Sequence, residues 1–234
     1  MEITSSTELP SIRKPVTLVT EDNLKLIGEL ALPVSNDPAA TLLTLHPLPT
    51  HGGFMDSHIL RKAANRLPEL ANLAVLRFNT RGTRSPHGVS EGFFGDGVDE
   101  RMDVEAAINF LQELKLGPIW LVGWSFGTEL AIKYGFDKNI AGAILLSPPL
   151  HRANEEDILK WKGNGKKLIA LVPEHDDFLP PREAKERFSV VPECEVIAVD
   201  GAKHLWVGES ATKRVLNEIV RAANPSAYPL PTHY

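Results

Sequence analysis

The spacing of apolar residues changes along the chain. Over Val16–Thr20 and Leu24–Leu32, apolar and polar residues alternate on either side of Glu21-Asp22-Asn23, which predicts an antiparallel hairpin. Thr41–Leu45 is a continuous apolar run bounded by turn residues, and Leu73–Phe78 reads the same way. Such runs predict strands buried on both faces. Ser57–Leu70 between them has helical spacing. Glu100–Leu114 is an amphipathic helix, with Met102, Ala106, Ile108 and Leu111 among its apolar positions. Then come a strand at Ile119–Val122, a helix over Phe126–Tyr134, and strands at Ala143–Leu146 and Lys167–Val172, the last two separated by a short polar helix near Asn154–Trp161. Pro181–Phe188 is a helix opened by proline at its first turn. A strand at Glu195–Val199 and a helix at Ser210–Ala222 complete the series. Residues 224–234 hold three prolines and are expected as an extended surface tail.

From Thr41 onward, strand and helix alternate. That order predicts an α/β fold, a mostly parallel twisted sheet flanked by helices, with the leading hairpin adding antiparallel strands at one edge. No break in composition divides the chain, so residues 1–234 are expected to form a single domain. Residues 81–99 are a long Gly-rich connection without a period, the kind of loop that is usually functional.

Composition narrows the partners. Twenty-five basic against 30 acidic residues leave a net charge of −5, with no clustered basic face for nucleic acid. No apolar run approaches the roughly 18 residues of a membrane span, and the acidic, polar first residues lack the features of a signal peptide. Cys194 is the only cysteine, so no intrachain disulfide forms, in keeping with a reducing cytoplasm.

Chemistry concentrates after the strand Ile119–Val122. Gly123-Trp124-Ser125-Phe126-Gly127 fits G-x-S-x-G, a pattern expected roughly 0.06 times by chance in a chain of this size. Between a strand and a helix, the glycines permit a sharp reversal that holds Ser125 exposed. A serine hydroxyl needs a base to take its proton. His204 is the best placed of eight histidines, in a loop after a buried strand and before the last helix. The third member is expected between them, at Asp176 or Asp177, also directly after a strand. Asp176 lies 51 residues after Ser125 and 28 before His204, which leaves room for all three to meet at one sheet edge. A developing oxyanion needs backbone donors. The Phe126 N–H follows the serine, and the loop after Leu45 offers a second donor: Leu48, because Pro47 and Pro49 have no N–H, or else Gly52 or Gly53.

With these residues the chain resembles the α/β-hydrolases, specifically the small capless serine hydrolases, over essentially its whole length. The match includes His46-Pro47-Leu48 with Gly52-Gly53 and Met55-Asp56, Arg77-Phe78-Asn79-Thr80-Arg81-Gly82, the elbow around Ser125, the acid loop Asp176-Asp177-Phe178-Leu179-Pro180, and Gly201-Ala202-Lys203-His204. The acid-loop frame selects Asp176. The resemblance implies hydrolysis of small carboxylic esters or thioesters through an acyl-serine, with no metal and no organic cofactor, on a small-molecule substrate. The sequence departs from many relatives in reading His-Pro where they read His-Gly. The connection after Leu146 is only about 20 residues, so no large lid is expected. Trp124, Phe93, Phe94 and Trp206 are candidates for the substrate pocket. His46, His51, Asp56 and His58 cluster in sequence but match no metal-ligand spacing. Arg81 is expected to pair with a carboxylate beneath the loops, and Cys194 to act as a small hydrophobe. Two other functions are compatible with the same residues: a peptidase or amidase, and a ligand-binding protein without turnover.

Overall fold

The structure is a computed structural model, in which residues 2–34 and 37–234 are described. Its elements, in chain order, begin with β1 (Ile12–Val19), β2 (Lys25–Leu32), β3 (Ala40–Leu45), α1 (His58–Ala71), β4 (Leu73–Phe78), β5 (Arg84–Ser85) and β6 (Gly88–Val89). Next are α2 (Glu100–Leu114), β7 (Ile119–Trp124), α3 (Phe126–Tyr134), β8 (Ile140–Leu146) and α4 (Glu155–Leu159). The chain ends with β9 (Lys167–His175), α5 (Pro181–Phe188), β10 (Glu195–Lys203) and α6 (Glu209–Ala223). Eight strands form one sheet in the order β1-β2-β4-β3-β7-β8-β9-β10. β1 and β2 are the antiparallel hairpin, β2 runs antiparallel to β4, and all remaining pairs are parallel.

Alternation along the central strands sorts their side chains to two layers. Leu42, Val75, Val122 and Ile144 pack on one face against α1 and α6. Leu43, Leu76, Leu121 and Leu145 pack on the other against α2 and α3, whose layer α4 and α5 extend. The central strands β3, β4 and β7 are buried throughout because both faces are covered.

β3 and β7 are neighbours although α1, β4 and α2 separate them in sequence. From this pair the chain winds outward in both directions. A crevice at the carboxyl ends of the strands is expected at such a reversal. The register places Leu45 opposite Gly123, so the loop after β3 and the turn after β7 emerge side by side.

Three details differ from the pattern-based boundaries. β9 continues to His175 and β10 to Lys203, with an irregularity between Val199 and Lys203. Residues 81–99 contain the small β5–β6 hairpin, whose two-residue strands are too short to show a period. Residues 224–234 are partly tied down: Leu230 is buried, its N–H donates to Asn217, and His233 bridges to Glu2. No helix among the described residues is long and apolar enough to cross a membrane.

Candidate active site

Ser125 caps the start of α3 with φ 52° and ψ −118°, a conformation L-residues rarely adopt. Its N–H donates to the Leu146 carbonyl at 2.9 Å. Its own carbonyl accepts the Thr128 N–H at 2.8 Å and the Thr128 hydroxyl at 2.7 Å. Both glycines of the motif are sterically required. A Cβ on Gly123 would lie 2.4 Å from the Gly127 carbonyl oxygen. A Cβ on Gly127 would lie 2.0 Å from the Leu45 carbonyl oxygen, so the first turn of α3 sits directly on the end of β3. That contact brings the loop carrying Leu48 against the serine.

Three residues of the site form a hydrogen-bonded chain. His204 Nε2 is 2.9 Å from Ser125 Oγ. His204 Nδ1 is 2.9 Å from Asp176 Oδ2. The Asp176 carboxylate also accepts the N–H groups of Phe178 and Leu179, at 2.9 and 3.2 Å on Oδ1. Burial acts to raise the Asp176 pKa, but the bonds from His204, Phe178 and Leu179 outweigh it, and the carboxyl is held below its ordinary value. It is therefore ionised at neutral pH and fixes the imidazole with the proton on Nδ1, leaving Nε2 to accept from Ser125. Asp177 is exposed, and the hydrogen bond to His204 comes from Asp176. Asp176 makes an Asx turn, and that turn separates the two aspartates.

The loop bearing His204 is anchored from beneath. Its carbonyl accepts the Trp124 indole N–H and the Ser147 hydroxyl, each at 3.2 Å. His58 is 2.7 Å from the Leu205 carbonyl through Nε2 and meets the Trp124 ring edge-on.

On the β3 side, His46 is buried and fully engaged. Nδ1 lies 2.6 Å from the Pro47 carbonyl, and Nε2 accepts the Thr80 N–H at 3.1 Å. Burial drives its pKa down to about 4, so the ring is neutral. Gly52 N–H donates to Pro49 and Gly53 N–H to Leu48, both within the tight turn at Pro49–His51. Among the described residues, the N–H groups of Leu48 and Phe126 have no acceptor. His51 faces the pocket. Asp56 is taken up by Arg77 and His87, and no three potential ligands stand together among the described residues. Arg81 is bound to Asp103 and Asp22, beneath the loops.

Ser125 and His204 open into a mostly apolar pocket of about 370 Å³, which Leu48, Trp124, Phe126 and Phe178 help to line. Of the aromatic candidates, Trp124 lines it. Phe94 stands behind, with its ring 5.6 Å from that of Phe126. Phe93 is 90% exposed and is not part of the pocket, because consecutive residues of this loop face opposite ways. Trp206 also lies outside it: a positive φ of 51° turns the indole into the core between α1 and α6, where it is fully buried. Residues missed from sequence include Phe178, whose ring meets His204 edge-on at 4.6 Å, together with Pro149, His151, Arg152 and Leu205. Phe178 lies within the acid loop and could have been found there. The 149–152 segment carries no sequence signal.

Comparisons with known proteins fit this geometry. No family model matches the sequence. An uncharacterized protein of Rickettsia prowazekii is 32% identical over 125 residues, which cover 52% of this chain and 50% of that protein; the match thus spans half the length of that relative. Among solved structures, an α/β serine hydrolase homologue from Coxiella burnetii superposes with a TM-score of 0.75 at 24% identity, over 89% of this chain and 96% of that one. A lidless serine hydrolase from Xanthomonas campestris gives 0.74 at 20% identity, over 97% and 100%. The esterase Pf2001 of Pyrococcus furiosus gives 0.71 at 22%, over 92% and 94%. The chain has the α/β-hydrolase fold without a lid.

Proposed function

From the lidless α/β-hydrolase fold, we propose that this protein is a serine hydrolase that cleaves small carboxylic esters or thioesters through an acyl-Ser125 intermediate. The observation that carries this reading is the chain Asp176–His204–Ser125, with two 2.9 Å links, opening into an apolar pocket. Ser125 Oγ attacks the carbonyl carbon as its proton passes to His204 Nε2, and Asp176 stabilises the resulting imidazolium. The oxyanion receives the Phe126 and Leu48 N–H groups. Leu48 is preferred over Gly52 and Gly53 because the N–H groups of both glycines are already engaged in the turn. His204 then protonates the departing alkoxide or thiolate. Water attacks the acyl-serine, giving its proton to Nε2, and collapse of the second tetrahedral intermediate releases the acid and restores the Ser125 hydroxyl. Trp124 and Ser147 hold the His204 backbone in place throughout. Every step is carried by protein groups and water. The single thiol, Cys194, is packed against the core and pushed up to about 12 by burial, so it has no part in the chemistry and suits a cytoplasmic setting.

The test is covalent trapping. A fluorophosphonate is expected to add once, on Ser125, and to abolish hydrolysis of p-nitrophenyl butyrate. Ser125→Ala is expected to take no label and to lose about 10³-fold or more in kcat. Labelling that persists in Ser125→Ala, or hydrolysis that survives labelling, removes this assignment.

A further inference from the structure

Glu129, buried, and Arg152, half-buried, place an ion pair at the wall of the same pocket, and the chemistry described so far does not use it. Glu129 lies on α3, four residues after Ser125 and about 6 Å along the helix axis. Its side chain is fully buried yet borders the pocket. It accepts the Arg152 backbone N–H and lies 3.5 Å from Arg152 Nη1. Arg152 Nε and Nη2 both donate to Asp96 Oδ1, at 2.8 and 2.7 Å, and the guanidinium carbon sits 5.5 Å from the centre of the Phe126 ring. Gly97 closes over this corner, with a virtual Cβ 3.0 Å from Arg152 Cδ and 3.3 Å from Phe126. The Tyr134 hydroxyl and Lys133 ammonium hold the Gly97 carbonyl at 2.7 and 3.2 Å. The corner is therefore built and fixed from three sides.

A guanidinium has five N–H donors. Three are used here, on Asp96 and Glu129, and two have no protein acceptor among the described residues. A polar group that borders an apolar pocket with spare donors is satisfied by an acceptor on the ligand, and Arg can only donate. The acceptor need not be charged. Glu129 and Asp96 balance Arg152 and Lys133, so the corner needs no further charge, and the Glu129 carboxylate, which itself borders the pocket, disfavours a second carboxylate beside it. The opposite rim is open, with Phe178 51% and Leu205 58% exposed. The Arg152 corner, fixed through Gly97, suits the acyl group, which stays attached to Ser125 after the alcohol departs, and the rim at Phe178 and Leu205 suits the leaving group.

Resting on the ester-hydrolase reading above, we propose that Arg152, held over Phe126 by Asp96 and Glu129, is a specificity subsite for a neutral hydrogen-bond acceptor on the acyl chain. Ser125 and Arg152 line one pocket of about 370 Å³, a size that suits a short acyl chain, so the class of substrate is a short oxoacyl ester or one with a comparable neutral oxygen.

Three methyl esters of closely similar length separate the possibilities: methyl pentanoate with an apolar end, methyl 4-oxopentanoate with a neutral acceptor, and monomethyl succinate with a carboxylate. Acid release is followed at pH 8. In the wild type, kcat/KM for the oxo ester is expected to exceed that for pentanoate by about tenfold, with the succinate ester slowest, a difference of the size one charge-assisted hydrogen bond confers. In Arg152→Met the ratio of oxo to pentanoate is expected to fall to about one. The ratio is read within each enzyme, so a general loss of activity does not mimic the result. Equal wild-type rates on oxo and pentanoate esters, a preference for succinate, or an unchanged ratio in Arg152→Met overturns the subsite and leaves the hydrolase reading standing. Failure of the wild type on all three esters overturns both.

Discussion

At the scale of single residues, Asp176 and Asp177 make a sharp contrast. Asp176 is buried, bonded to His204 Nδ1 and fixed by two backbone N–H groups, whereas Asp177 faces solvent. Asp176→Asn is expected to lower kcat by about 10⁴ with the fold intact, because the wrong imidazole tautomer is then favoured. Asp177→Asn is expected to cost less than about tenfold. Steady-state kinetics on both variants checks this, and the reverse order would move the acid to Asp177. His46 sets a second expectation, for stability. Its folded pKa, about 4, is below the ordinary imidazole value of 6.5 because burial disfavours the cation. Above pH 6.5 the ring is neutral folded and unfolded alike. As the pH falls toward 4, only the unfolded chain takes up the proton, so stability declines, by ~3 kcal/mol over that window. Urea melts at pH 7.5 and 5 are expected to show a smaller loss in His46→Asn than in the wild type, with His58, also depressed by burial, contributing equally to both. Identical losses would mean that His46 titrates normally. Ser125 and His204 could be singled out in sequence because glycine spacing and chain order constrain them, whereas the choice of Asp176 over Asp177 rests on the resemblance of the acid loop. Phe93 and Trp206 could not be placed, because proximity along the chain says nothing about which way a loop side chain turns.

At the scale of elements, the helices and central strands were legible from periodicity, since burial on one or both faces enforces it. The ends of β9 and β10 were not. Near their ends Glu174, His175, Asp200 and Lys203 are exposed, so no apolar period marks these residues, although Lys203 still pairs with His175. Asp176 and His204 stand just beyond those ends. The elbow is likewise an element-scale device, in which two backbone segments touch because Gly127 has no side chain. Gly127→Ala drives a methyl against the Leu45 carbonyl, and neither backbone can retreat without breaking the β3–β7 register. A loss of about 3 kcal/mol or more is expected, with a larger proportional loss of activity from displacement of Leu48 and Ser125. Thermal melting and ester turnover measured together check it, and a variant with wild-type melting would show that the contact can relax.

At the scale of the whole molecule, strand order was the least legible property. The winding of the chain outward from β3 and β7 depends on pairings between segments far apart in sequence, which local spacing does not encode. Arg152 and Phe178 reach the pocket only through that topology. The same topology distributes the site unequally. Ser125 and both proposed oxyanion donors stand on the paired, doubly covered centre of the sheet, whereas His204 follows β10, the last strand, bonded to β9 alone. Amide exchange is expected to be fastest at such an edge, through openings that leave the centre closed. An opening that also releases the His204 carbonyl from Trp124 and Ser147 would separate His204 from Ser125 without unfolding the protein. Turnover is therefore expected to fail at a lower urea concentration than the far-ultraviolet circular dichroism of the sheet, and coincident midpoints would refute this. On the proposed mechanism, the quantity that limits activity under denaturing conditions is expected to be the free energy of releasing one border strand, a smaller quantity than the free energy of unfolding the domain.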